Sequence, residues 1–182
     1  MFRWAAVLIL GVLVTAAPSA QVPAVPVPLQ FSLFFRIMTY DRSLPTRAAG
    51  GLVVGVAFQG RLRASALAAE EALQQTPPSG FPYPVRLVAI DLDSTADLAA
   101  ALADCDVLYV APLRAYRVAD ISAAARARGI LTVTGIPEYL DEGLAIGVDL
   151  RGDRPEILVN LAAARAERAD FTAAFLRLAT IR

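Results

Sequence analysis

One unit recurs along the chain: a short, valine-rich apolar run followed by a longer segment with apolar residues every three or four positions. "LVVGVAF" (52–58), "VRLVAIDL" (85–92), "DVLYVAP" (106–112) and "ILTVTG" (130–135) are the apolar runs. A strand so continuously apolar is stable only where both faces of its sheet are covered. The intervening segments read as helices. From about Arg61 a stripe of Leu62, Ala66, Ala69 and Leu73 stops at Pro77-Pro78. Ser94 with Asp97 makes a capping box ahead of Leu98 and Leu102, and residues 118–128 are closed by Gly129. Strands alternating with helices predict an α/β fold with a mostly parallel sheet of about four strands and helices on both faces.

The scheme changes toward the C terminus. "GLAIGVDL" and "PEILVNL" are separated only by "RGDR", whose Gly-Asp pair suits an antiparallel hairpin. Asn160 in the second of these strands is expected to satisfy neighbouring backbone. Asp170 is placed to cap a final helix in which Phe171, Ala174, Phe175 and Leu178 share one face and cover the far edge of the sheet. At the other end, Phe31, Phe34, Phe35 and Met38 mark a core-packing helix ending near Leu44-Pro45.

With 182 residues the chain has room for one core, and residues 30–182 are expected to form a single α/β domain. Ahead of it, Arg3 precedes the uncharged run "WAAVLILGVLVTAA" and then small residues and prolines. This is the layout of a signal peptide over residues 1–20, cleaved between about 19 and 24, with an uncleaved anchor as the alternative. Export to the periplasm follows. Residues 21–29, with Pro23, Pro26 and Pro28, read as a stiff linker without helix or ladder.

Composition excludes more chemistry than it suggests. The chain contains neither lysine nor histidine. Ser-His-Asp and Cys-His nucleophiles, His-ligated zinc, Walker-type phosphate loops and Schiff-base lysines therefore each lack a required part, and neither an enzyme nor a cofactor or metal is expected. Seventeen arginines balance seventeen acidic residues, which offers no electrostatic footprint for nucleic acid. Cys105 is the single cysteine, so no intrachain disulfide can form.

In an open parallel sheet, ligands meet the carboxyl ends of the strands near the point where strand order reverses. Gln59 and Arg61 follow the first strand and Arg114 follows the third; together they are candidates to hold an anion, a polar ligand or a partner. A second candidate is "TYDR", where Tyr40, Asp41 and Arg42 close the first helix. A phosphate-cradling loop is not matched by "FQGRLRAS", and the lysine of receiver domains is missing.

The ordered pattern resembles the YfiR family of exported bacterial proteins over about residues 30–181. The resemblance is carried by the leader, the aromatic helix, the "LVVGVAF" strand and above all the ending "ILVNLAAARAERADFTAAFLRLA". It implies a non-enzymatic regulator of cyclic-di-GMP signalling. The implied partner is the sensor domain of an inner-membrane signalling protein, a diguanylate cyclase or a sensor kinase, with a homodimer left open. The alternative reading is a periplasmic small-ligand-binding protein resembling one lobe of a solute-binding protein.

Overall fold

The computed structural model describes residues 22–182. The expected signal peptide lies outside them. The chain enters through α1 (Val27–Met38) and the one-turn α2 (Leu44–Arg47). There follow β1 (Leu52–Phe58), α3 (Arg63–Leu73), β2 (Val85–Asp91), α4 (Leu98–Ala101), β3 (Val107–Val110), α5 (Val118–Arg128) and β4 (Leu131–Thr134). A 3-10 turn at Pro137–Leu140 leads into β5 (Ile146–Arg151), β6 (Arg154–Val159), α6 (Leu161–Ala166), α7 (Ala173–Leu176) and β7 (Thr180–Ile181).

The strands form one sheet in the order β2-β1-β3-β4-β5-β6-β7. β2, β1, β3, β4 and β5 run parallel, and β6 folds back antiparallel on β5 through the expected hairpin, pairing Ile146 with Val159 and Arg151 with Arg154. The parallel part has five strands rather than about four because the first arm of the hairpin, β5, also pairs with β4. The seventh strand, β7, is two residues long and pairs parallel with the end of β6; so short an element has no periodicity to read.

Helices cover both faces. Phe31, Phe34 and Phe35 of α1 join Val54, Tyr109 and Val133 of the sheet, together with Phe171 and Phe175, in one core. Ile121 and Ala125 of α5 pack with Leu108, Val110, Leu102 and Tyr139 in the other. The ring of Phe31 lies 5.0 Å from that of Tyr109, so aromatic contact adds to plain burial at the centre of the first core.

Four expectations are corrected. The linker ends sooner: α1 starts at Val27, with Val25 and Val27 buried, because a proline in the first turn removes only an N–H that has no intrahelical partner. At its other end α1 stops at Met38, well before Leu44-Pro45. Ser94 does not cap α4; Asp97 is itself the cap, accepting the Ala100 N–H at 3.1 Å. Finally, Thr172 caps the last helix, accepting the Phe175 N–H at 3.3 Å, and that helix is one turn long. Asp170 is engaged elsewhere, and Leu178 is 73% exposed. Phe171 and Phe175 are both buried, but Phe171 precedes the helix in an isolated bridge with Asp41. Spacing alone could not separate these two arrangements.

Candidate functional site

The strand order places β1 beside β3, while the chain runs from β1 outward to β2 before crossing back. The reversal point therefore lies between the carboxyl ends of β1 and β3. Gln59 spans it: its Oε1 accepts the Arg114 N–H at 2.7 Å, and its Nε2 donates to Asp93 Oδ1 at 3.3 Å. The Gln59 N–H donates to Ser65 Oγ, buried in the first turn of α3, at 2.9 Å. Gln59, Arg61 and Arg114, far apart in sequence, are thus brought to one edge.

Two acids that the sequence reading passed over complete this edge. Asp91 Oδ1 accepts the N–H groups of Gly60 and Asp93, each at 3.0 Å, and Asp93 Oδ2 accepts the Arg61 N–H at 2.8 Å. The Gly60 hydrogen bond holds the Asp91 carboxyl below its ordinary pKa, helped by the Asp93 N–H and the nearby Arg61 charge. A Cβ on Gly60 would sit 2.9 Å from Asp91 Oδ2, so the loop needs glycine for the carboxylate to approach. The backbone donors that greet an external anion in many doubly wound folds are here occupied by the chain's own carboxylates. What remains free is the guanidinium of Arg61 and that of Arg114: both residues are exposed, and neither side chain has a hydrogen-bond or ion-pair partner among the described residues. The signal that could have found Asp91 and Asp93 is "DLDS", two acids one residue apart at the carboxyl end of a strand.

Tyr40, Asp41 and Arg42 belong to a different place, the amino-terminal edge of the sheet. Asp41 is buried, and its Oδ1 accepts the Ser43 N–H at 2.9 Å and the Asp170 N–H at 2.8 Å. Arg42 pairs with Asp170 at 3.3 Å on the surface, and the Tyr40 ring stacks on Phe175 at 5.8 Å. "TYDR" is a clasp that pins the C-terminal segment to the end of α1. It does not join the strand-end group.

Beside the clasp lies a polar knot of long-range partners. The Arg47 side chain is buried, donating from Nη1 to the carbonyls of Asp106 (3.0 Å) and Gly129 (2.6 Å) and from Nη2 to that of Glu167 (2.9 Å). Its Nε lies 3.8 Å from Asp41 Oδ2. Burial lowers the guanidinium pKa, against the pull of Asp41, Asp106 and Glu167. Glu167, fully buried, accepts the Thr132 N–H and the Thr132 hydroxyl, each at 2.8 Å. Burial outweighs these bonds and pushes its carboxyl up to about 7. Asn160 behaves as expected, capping α6 through the Ala163 N–H and donating to the Leu140 carbonyl, both at 3.0 Å.

The family model DUF4154, described as YfiR/HmsC-like, matches residues 32–180, from the aromatic helix α1 to β7. The chain belongs to the YfiR/HmsC-like family. That family is one of periplasmic regulators. Among curated proteins none matches this sequence. Two solved structures share the α/β fold of this YfiR/HmsC-like chain. One is the ABC domain from Streptococcus pneumonia in complex with L-Trp, with a TM-score of 0.60 and 11% identity over 86% of this chain and 62% of its own. The other is a conserved domain protein from Vibrio cholerae O1 biovar El Tor, with a TM-score of 0.60 and 16% identity over 86% of this chain and 60% of its own. The chain thus spans about three-fifths of the length of these structures. No helix among the described residues is long and apolar enough to cross a membrane.

Proposed function

We propose that the chain is an exported, non-enzymatic regulator of the YfiR type that acts by binding the outward-facing sensor domain of an inner-membrane signalling protein, a diguanylate cyclase or a sensor kinase. The observation that carries this reading is the family match over residues 32–180. The contact surface is the strand-end edge, where Arg61 and Arg114 project beside a loop whose other polar groups are already paired. Arginine presented from a rigid frame suits recognition of carboxylates on a partner, since its fork is ordered before contact. Regulation then proceeds through differential affinity for two states of the partner rather than through turnover. The associated signal is cyclic-di-GMP where the partner is a cyclase.

The test is crosslinking of the exported protein to membranes, comparing wild type with Arg61→Glu and Arg114→Glu. Loss of an interface arginine costs about 1–3 kcal/mol, so each variant should bind its partner roughly tenfold or more weakly and change the signalling output at an unchanged melting temperature. Wild-type binding and output from both folded variants would move the interface away from this edge.

A further inference from the structure

Arg47 answers the carbonyl ends of two helices at once. Gly129 and Glu167, whose carbonyls it holds, are the residues that close α5 and α6. Helix ends leave such carbonyls without an intrahelical donor, and a basic residue in the last turn commonly supplies one. Here the neighbouring arginines are relieved of that role. Arg128 and Arg168 are both exposed, and neither side chain has a hydrogen-bond or ion-pair partner among the described residues.

The three arginines line one cavity of about 240 Å³, together with Thr46, Cys105 and Asp106. It opens at the amino-terminal edge of the sheet, on the far side from Gln59 and Arg61. Arg168 reaches it from a left-handed backbone, with a φ of 64°, a conformation that usually falls to glycine. Its side chain lies over the bare Cα of Gly129, where a Cβ would sit 2.6 Å from Arg168 Cδ. This placement brings the Arg168 charge close enough to act against that of Arg47. The Arg47 side chain is 7% exposed, yet its Nε has no acceptor, because Asp41 Oδ2 at 3.8 Å is too far for a hydrogen bond. Asp106 is the one carboxylate of the lining, and its Oδ2 already accepts the Val53 N–H at 2.8 Å. Three guanidinium groups against one carboxylate leave two positive charges uncompensated.

We propose that this cavity binds a phosphate group, with Arg128 and Arg168 as its charge partners and Arg47 and the Thr46 hydroxyl as further donors. A phosphomonoester carries about −1.5 to −2 at neutral pH, which matches the excess, whereas one carboxylate leaves a guanidinium unpaired. Its terminal oxygens accept from several directions, and the donors here come from three separate elements, α2 and the ends of α5 and α6. The Ser43 hydroxyl is not among them, since it donates to Asp41 at 2.8 Å. A phosphate held here bridges all three elements, so binding should stabilise the fold. The site stands apart from the partner surface at Arg61 and Arg114 and does not depend on it.

Calorimetric titration and thermal unfolding of the exported protein at low ionic strength and neutral pH test this, with inorganic phosphate and glycerol phosphate as probes. Acetate at equal ionic strength serves as the control. Both probes should raise the melting temperature and saturate, and acetate should do neither. Arg168→Gly removes the guanidinium while suiting the φ of 64°, and Arg128→Gln keeps the helix end. Each should weaken binding roughly tenfold or more at an unchanged far-UV spectrum. Co-sedimentation with phosphatidylcholine vesicles, with and without phosphatidylglycerol, separates the sources. Binding confined to the vesicles that contain phosphatidylglycerol, and lost in both variants, assigns the phosphate to a lipid headgroup; binding of the free probes assigns it to a soluble molecule. Failure of every phosphate probe to bind overturns the proposal, as does binding that both variants retain. An equal response to acetate also overturns it and gives the cavity to a carboxylate, such as that of an acidic partner segment.

Discussion

Glu167 shows how a single buried carboxylate sets the pH response of this protein. Its folded pKa is about 7, raised from 4.5 by burial. The folded form therefore holds its proton more tightly than the unfolded chain. The resulting stabilisation is fully present below about pH 4.5, declines as pH rises, and is gone once pH passes about 7. A shift of that size corresponds to about 3 kcal/mol. Urea unfolding of wild type and Glu167→Gln between pH 4.5 and 8 should diverge by this order, with wild type losing stability relative to the variant as pH rises. Parallel curves would show that Glu167 ionises in the folded protein as it does in the unfolded one. Asp41 contributes through its hydrogen bonds: its carboxylate accepts the N–H groups of Ser43 and Asp170. Asp41→Ala strands both of these part-buried donors, at a cost of about 1–3 kcal/mol, so its melting temperature should fall by several degrees.

The C-terminal element is where reading by periodicity and the folded structure part most clearly. Phe171, Phe175 and Leu178 fall on one helical stripe, yet Thr172 adopts an extended ψ of 148°, the helix lasts one turn, and the chain leaves it to lay β7 against β6. Phe175 is buried between Phe171 and Tyr40, while Leu178 is largely exposed. Phe175→Ala should destabilise by about 3–5 kcal/mol, whereas Leu178→Ala should stay within about 0.5 kcal/mol of wild type. Equal losses in thermal denaturation would restore the longer helix. Removing residues 170–182 takes away both phenylalanines, the bond from Asp170 to Asp41 and strand β7, and should give an aggregating or protease-sensitive product.

At the scale of the whole molecule, the regulatory reading requires export and independence from thiol chemistry. A fusion of residues 1–24 to a reporter active only in the periplasm should be active, and cytoplasmic retention of the full chain would sink the localisation. Cys105 is half-buried, and burial together with Asp106 and Asp104 raises its pKa, which keeps it a poor nucleophile. Partner binding should be the same with and without reductant. A strong response would place an intermolecular disulfide at Cys105.

Local pattern by itself determined a great deal: the alternation of buried strands with helices, the parallel sheet, the hairpin at "RGDR" and the family. These depend on side-chain periodicity and turn residues within a few positions of one another, and such signals are written along the chain. Which polar groups meet was decided only by the tertiary structure. Gln59 reaches Arg114 across 55 positions, Arg61 reaches Asp93 across 32, Glu167 reaches Thr132 across 35, and Asp41 reaches Asp170 across 129. A hydrogen bond carries no periodicity, so nothing in "FQGR" states that the N–H groups of Gly60 and Arg61 will be filled by "DLDS", nor in "TYDR" that its acid will be buried. The strand order supplies the first answer, because setting β1 between β2 and β3 places the carboxyl ends of all three side by side; the second comes from the C-terminal segment, whose Phe171 bridges Asp41 at the end of α1.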